Sequence, residues 1–378
     1  MKIGLYVHIP FCHSKCYYCD FLSFPNKGEE DTYVKALIKE IEHYGHKVRG
    51  VHTISSLFIG GGTPTVLSPF LLDEVCKAIR LNFNIEEDAE WTVEANPGTI
   101  LKEHVESFKR NGVNRVSLGL QAVQDQKLKA IGRIHVFEDW KRSINLLRDQ
   151  GITNINTDIM FALPGQTLEE WEETIQTMID FDLPHISAYS LIIEEGTVFG
   201  NRYKAGTLKS MDEELDRQMY ECVKERFKQA GYDQYEISNW CKDGLECRHN
   251  VLYWESGSYL GIGVGSHGYM DGKRYHNTTS FKEYIEAAGD IEKLVTESEE
   301  ITEKNAMEEF MFLGLRMLKG ISIEAFYERF GKTIFQVYGE TIEKWIKDEI
   351  IVQNKDRLYL SDKGIDLSNQ VFISFLID

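Results

Sequence analysis

Three cysteines stand at CxxxCxxC spacing just past the N-terminus, in the run Cys12-His13-Ser14-Lys15-Cys16-Tyr17-Tyr18-Cys19. Three thiolates this close can hold three irons of a [4Fe–4S] cube and leave the fourth iron open to an exchangeable ligand. A dedicated electron carrier would add a fourth cysteine, and this run does not continue into one. The open iron therefore points to chemistry rather than electron storage. Zinc would need a fourth ligand of suitable spacing, and His13 lies inside the tight loop. Ligation requires deprotonated sulfur, which positive irons drive. The neighbouring Phe11, Tyr17, Tyr18 and Phe21 are expected to limit water access and tune the cluster.

A second constellation is the turn Gly60-Gly61-Gly62-Thr63-Pro64-Thr65. Glycines let a backbone approach a ligand closely with N–H groups free to bind it. Such turns are common, and this one gains specificity from the cysteines on the adjacent strand. Glu94, Gln121, Arg133 and Asp158 suit hydrogen bonding to a polar cofactor with amino, hydroxyl and carboxylate groups. Capping or a buried ion pair would account for any one of them equally well. Cys241 and Cys247 read as incidental thiols, and Cys76 and Cys222 as core residues.

Elements must position these residues. Candidate strands are residues 4–9, 54–59, 90–95, 115–120, 154–160 and 185–191, separated by amphipathic helical patterns such as Val34, Leu37, Ile38, Ile41 and Leu71, Leu72, Val75, Ile79. Asp31 and Ser68 are plausible N-caps for those two helices. Six βα units in about 200 residues, with no closing pair, predict an α/β fold built on a partial (β/α)6 parallel barrel. The cysteines, the glycine turn, Glu94, Gln121 and Asp158 all fall at or near strand carboxyl ends, where a parallel barrel builds its site. The expected organisation is a barrel over 1–200, an irregular extension over 201–296, and a smaller winged-helix-like α+β appendage over 297–378, with 297–304 a linker or helix start. Residues 301–378 carry 10 Lys+Arg against 13 Asp+Glu, a net of −3. Packing or partner contact thus suits the appendage better than nucleic acid.

The whole chain of 378 residues has a net charge of −18, which argues against bulk attraction to nucleic acid or anionic lipid. Hydrophobic residues at 42% and charged residues at 27% describe a globular composition. Pro10 and the cysteines interrupt the first apolar run, so no signal peptide or membrane span is expected and the expected location is cytoplasmic. Seven cysteines, an odd number with three clustered, suit metal ligation better than a disulfide framework.

The cysteine run, the GGGTPT turn and the strand-end polar residues resemble the radical S-adenosylmethionine (SAM) superfamily. Over nearly its full length the chain resembles the oxygen-independent coproporphyrinogen oxidase family. The stretches that carry this are Tyr6-Val7-His8-Ile9-Pro10-Phe11-Cys12, Asn156-Thr157-Asp158-Ile159 and Leu163-Pro164-Gly165-Gln166-Thr167. The resemblance implies a [4Fe–4S] cluster on Cys12, Cys16 and Cys19, with SAM chelating its open iron. It implies SAM contacts at Tyr6, Tyr18, Gly61, Gly62, Thr63, Glu94, Gln121, Arg133 and Asp158. Two departures select a branch. The oxidase continues as CxxxCxxCxC, whereas here Phe21 follows Asp20, and His249-Asn250-Val251-Leu252-Tyr253-Trp254 resembles the HNxxYW signature of the HemW branch. Members of that branch are regarded as heme chaperones.

That implies reversible heme binding and delivery to acceptor hemoproteins, with transient membrane contact, no transmembrane segment and no nucleic acid. Heme is flat and apolar with two carboxylates, so its binder would offer aromatic walls and a ligand for iron. His249 is the candidate heme ligand, with a hydrogen-bonded loop histidine or a wall of the SAM cavity as its other readings. The alternative function is coproporphyrinogen III dehydrogenation by the radical machinery. A radical enzyme acting on RNA would call for a basic face, which the acidic balance disfavours.

Overall fold

The computed structural model describes residues 1–376 apart from Asn26 and Ala288. Its frame is one twelve-stranded sheet. The strands are β1 (Lys2–Ile9), β2 (Thr53–Gly61), β3 (Ile85–Ala95), β4 (Arg115–Gln121), β5 (Ile155–Phe161), β6 (His185–Ser190), β7 (Asp233–Glu236), β8 (Asn239–Cys241), β9 (Tyr259–Ile262), β10 (His267–Met270), β11 (Lys273–Asn277) and β12 (Val295–Glu300). Across the sheet they run β12-β11-β10-β9-β1-β2-β3-β4-β5-β6-β8-β7. From β9 through β6 every pairing is parallel, and both flanks are antiparallel. The order does not close, so the barrel is partial. β4 is buried at all seven residues, as expected where a parallel sheet is covered on both faces.

The covering helices include α1 (Glu30–Val48), α2 (Pro69–Asn82), α3 (Lys102–Asn111), α4 (Phe137–Asp149), α5 (Leu168–Asp180) and α6 (Glu213–Gln229). Ser68 caps α2 as expected, its hydroxyl accepting from Leu71 N. Asp31 does not cap α1. It lies inside the first turn, where a carboxylate still suits the helix dipole, and the cap position is Glu29.

Residues 201–296 are more regular than the sequence suggested. They supply β7 through β11, and their apolar side chains Met219, Val223, Trp240, Ile262 and Tyr284 belong to the same core as β1–β6. The expectation failed because these strands are mostly three to five residues long, too short to show a period. Residues 297–300, expected to be linker or helix, end strand β12, and α8 (Glu303–Gly314) follows with Thr302 as its cap. The last unit has its own core, centred on Met311, Phe326, Ile342 and Leu358. Its helices α9 (Ile323–Phe330) and α10 (Ile334–Lys347) and a three-stranded sheet of Ile321–Ser322, Arg357–Leu360 and Ile351–Asn354 form the winged-helix arrangement. Among the described residues no helix is long and apolar enough to cross a membrane.

Candidate functional site

The cysteine loop leaves the carboxyl end of β1 and is tied down on several sides. Phe24 N donates to Pro10 O at 2.7 Å, and Tyr17 N donates to Ile131 O at 3.0 Å, joining the loop to the segment after β4. His8 ties the loop's exit back to β1, its Nε2 2.9 Å from Leu22 O and its Nδ1 3.0 Å from the Tyr6 hydroxyl. Cys12 Sγ lies 3.7 Å from Thr63 Oγ1, and the Arg133 guanidinium donates to Cys16 Sγ at 3.5 Å. Burial raises the Cys12 thiol and pushes Cys19 up to about 11. Both are therefore thiols until cationic metal draws the proton off.

Among the described residues no three His, Cys, Asp or Glu side chains converge as the ligands of one metal ion would. Cys12, Cys16 and Cys19 share instead one wall of a cleft. A shared wall suits a multi-iron cluster, in which each sulfur takes its own iron.

The glycine turn at the end of β2 lines the cleft with Gly61 and Gly62 and is packed tightly from the other side. A Cβ on Gly60 would meet Glu94 Oε2 at 2.6 Å, one on Gly61 would meet the His8 ring at 2.6 Å, and one on Gly62 would meet Phe11 O at 2.6 Å. Gly61 also has a φ of +111°, and its N–H donates to Glu94 Oε2 at 3.1 Å. Much of the space the glycines leave is taken by the protein's own site residues, so the turn packs β1, the cysteine loop and β3 together. Thr63 lies behind the cysteines, buried, with its hydroxyl accepting from Asn96 Nδ2 at 2.6 Å.

The cleft has a volume of 510 Å³, and its lining includes Tyr18, Gly61, Gly62, Glu94, Gln121, Arg133 and Asp158 beside the three cysteines. Its walls are strongly polar. Glu94 is pushed up to about 8, first by burial and then by the nearby Asp158 carboxylate. Burial also raises Asp158, although Asn156 Nδ2 at 2.7 Å and Ser117 Oγ at 3.4 Å donate to it. Arg133 donates to Asn96 Oδ1 at 2.8 Å and to Gly119 O. Gln121 adopts a φ of +78°, unusual for a side-chain-bearing residue. Its Oε1, Arg133 Nε, Arg115 Nε and Asn239 Oδ1 are buried without a hydrogen-bond partner. Leftover donors and acceptors in one cleft, beside a buried carboxyl pair and three sulfurs, suit a polar zwitterionic cofactor next to a cluster.

Tyr6 and His249 lie, with Tyr253, in an adjoining 200 Å³ side chamber that shares Phe21, Phe58, Gly61, Glu94 and Asn250 with the cleft. His249 is the second residue of the helix α7 (Arg248–Trp254), whose N-terminus is capped by Glu90, which accepts from Arg248 N at 3.1 Å and His249 N at 3.2 Å. The His249 ring is 1% exposed and stacks on Phe58. Both ring nitrogens are engaged, Nδ1 at 2.9 Å from Ser56 Oγ and Nε2 at 2.8 Å from the Tyr253 hydroxyl. Burial holds the imidazole down at about 3, so it stays neutral. An axial heme ligand needs a free nitrogen within reach of a disc-shaped ligand, and here neither nitrogen is free. The placement makes His249 a wall of the side chamber.

Phe21 is 65% exposed and lies at the mouth of the cleft that the three cysteines line. Sequence reasoning missed Arg115, Asn96 and Asn156. Period-two alternation along β4 and β5 was the available signal, because it puts Arg115 on the face of Ser117 and Gln121, and Asn156 on that of Asp158. No such signal announced Asn96, which lies past the end of β3.

Comparison with known proteins adds to this geometry. The radical SAM superfamily matches residues 6–178, and the HemN C-terminal domain matches residues 301–367. The chain is 38% identical over 374 residues to heme chaperone HemW of Lactococcus lactis subsp. lactis, covering 99% of this chain and 97% of that one. It is 38% identical over 373 residues to heme chaperone HemW of Bacillus subtilis, covering 98% of each. The solved structure of Escherichia coli coproporphyrinogen III oxidase (HemN), a radical SAM enzyme, superposes with a TM-score of 0.87 at 21% identity, over 99% of this chain and 90% of that one, which is a likeness of fold. With the cysteine loop, the polar cleft and near-complete coverage at 38% identity in agreement, the chain belongs to the HemW family of radical SAM proteins.

Proposed function

We infer that this protein is a heme chaperone that binds heme and transfers it to acceptor hemoproteins, carrying a [4Fe–4S] cluster and exchangeable SAM. The observation that carries this is the near-full-length similarity to proteins named heme chaperone HemW. On this reading Cys12, Cys16 and Cys19 hold the cluster. Tyr18, Gly61, Gly62, Glu94, Gln121, Arg133 and Asp158 hold SAM, with Tyr6 and Thr63 supporting them from the side chamber and from behind Cys12. Bound there, the pair would supply reductive one-electron chemistry. The chain's own part is to seat a cationic, carboxylate-bearing cofactor, with Glu94 and Asp158 facing positive charge and Arg133 facing negative charge. We place the cofactor unit at 1–200, completed by 201–296, and the appendage at 297–378. We propose a cytoplasmic location with no nucleic-acid partner and at most transient membrane contact.

A complete cofactor cleft also favours a second reading, coproporphyrinogen III dehydrogenation. One anaerobic assay separates the two, using reconstituted protein, SAM, a reductant and coproporphyrinogen III beside a heme titration. Heme bound near one per monomer without carbon dioxide release supports the chaperone, and carbon dioxide with 5′-deoxyadenosine establishes the dehydrogenase. The Cys12, Cys16, Cys19 triple-alanine variant should lose the brown cluster absorbance, and retention would remove the ligand assignment.

A further inference from the structure

Phe21 stands where the oxidase pattern has a further cysteine, and it neither ligates metal nor packs into the core. It is 65% exposed, and Ile192 is 68% exposed. Both line the rim of the cofactor cleft. Exposed apolar side chains at the mouth of a functional cleft mark a binding surface in a way that scattered ones do not. We propose that the ledge of Phe21 and Ile192 at the cleft mouth is the heme-docking site, one face of the macrocycle lying against these two side chains.

The occupant follows from what the cleft refuses. Its interior is lined by Glu94, Asp158, Arg115 and Arg133, and an apolar disc buried there would strip these groups of water without replacing it. The rim offers the opposite surface, an aromatic ring and a branched aliphatic chain that lose water on contact with a flat apolar ligand. Lys15 Nζ sits on the same ledge, donating to Phe21 O at 3.0 Å while exposed to solvent. It places a cation where a propionate would lie. Asp20 and Glu194 also line the cleft, so Lys15 is the cation of the mouth toward which a propionate would turn. An exposed ledge also suits release to an acceptor, since nothing has to open.

The competing groove lies at the amino end of β2 and has a volume of 740 Å³, with Val251, Leu252, Met317 and Leu318 in its lining. Its cations are already paired, Arg248 with Asp88 and Lys319 with Glu255. Asp233, Glu246 and Glu255 line it as well, which opposes a dianionic ligand.

The proposal rests on the chaperone reading, and the experiment keeps the two apart. Heme is titrated into the full-length, cluster-loaded protein and followed by absorbance, with SAM affinity measured in parallel. The variants are Phe21→Ser with Ile192→Ser, Phe21→Trp, and Leu252→Ser with Leu318→Ser. The first pair should weaken heme binding about tenfold or more, with SAM affinity and the thermal midpoint unchanged. Phe21→Trp should retain heme binding, because a larger aromatic face serves the ledge. Unchanged heme affinity in the Phe21, Ile192 double variant overturns the proposal, as does an equal loss of SAM affinity. Loss confined to the Leu252, Leu318 variant overturns it in favour of the groove. No heme bound by the unaltered protein sinks the chaperone reading itself.

Discussion

Glu94 is the most consequential side chain of the cleft, because its charge decides what the cleft attracts. Its carboxyl is pushed up to about 8 by burial and by Asp158, so the cofactor-free protein keeps it largely protonated at neutral pH. A ligand bearing positive charge binds the carboxylate form better, so SAM affinity should rise as pH increases through about 8. Glu94→Gln should lose that pH dependence and bind SAM about tenfold more weakly. Isothermal titration calorimetry at several pH values checks both. The effect on stability has the opposite sense. A carboxyl whose folded value lies above its unfolded value costs stability as pH rises from the unfolded value through the folded one. The cofactor-free Glu94→Gln variant should therefore gain on the unaltered protein in thermal unfolding at alkaline pH.

Among the elements, the β2 turn is the least tolerant of change. Gly62→Ala drives a Cβ to 2.6 Å from Phe11 O, a backbone atom that cannot swing away. Gly61→Ala meets the His8 ring and adds the penalty of positive φ. Each should lower stability by about 1–3 kcal/mol, in the range of overpacking and left-handed strain. Each should also reduce cluster occupancy after reconstitution, because the turn and the cysteine loop share these contacts. Iron content and thermal unfolding check this, and full occupancy in Gly62→Ala would show the two elements to be uncoupled. The turn's glycine content was legible in the sequence. Its packing role was not, since only the fold puts His8, Phe11 and Glu94 into the spaces the glycines leave.

Across the whole molecule, several ion pairs join the appendage to the barrel, among them Arg274 with Glu309 and Lys319 with Glu255, and the most deeply buried carboxylate among them is Glu236. Arg316, just past α8, reaches Glu236 of β7 at 3.5 Å and lies over the Trp254 ring at 4.4 Å. Glu236 is 0% exposed, and burial raises its carboxyl despite the guanidinium beside it. Arg316→Ala leaves this buried carboxylate without a counter-ion, held only by Ser238 N and Asn239 Nδ2, a loss of about 3 kcal/mol. The penalty belongs to the charged form, so it should be largest at neutral to alkaline pH and shrink as pH falls and Glu236 takes a proton. Denaturant unfolding at two pH values checks this, and Glu236→Gln in the Arg316→Ala background should restore most of the loss.

Sequence alone determined the six parallel strands, the cysteine loop, the polar residues at strand ends and the winged-helix appendage. Those features repeat locally, as a period of two or 3.6 or as a fixed cysteine spacing, and local repetition is what a linear string carries. Tertiary structure decided the rest. Strand β9 lies beside β1 although about 250 residues separate them, and no local pattern encodes which edge a short strand joins. His249 read as a candidate heme ligand by residue type, yet Ser56, 193 positions away, takes one nitrogen and Tyr253 the other. Arg115 read as the start of a strand and became part of the wall of the cleft. Phe21 read as a shield and is largely exposed at the cleft mouth, because exposure depends on what the rest of the chain places against a side chain.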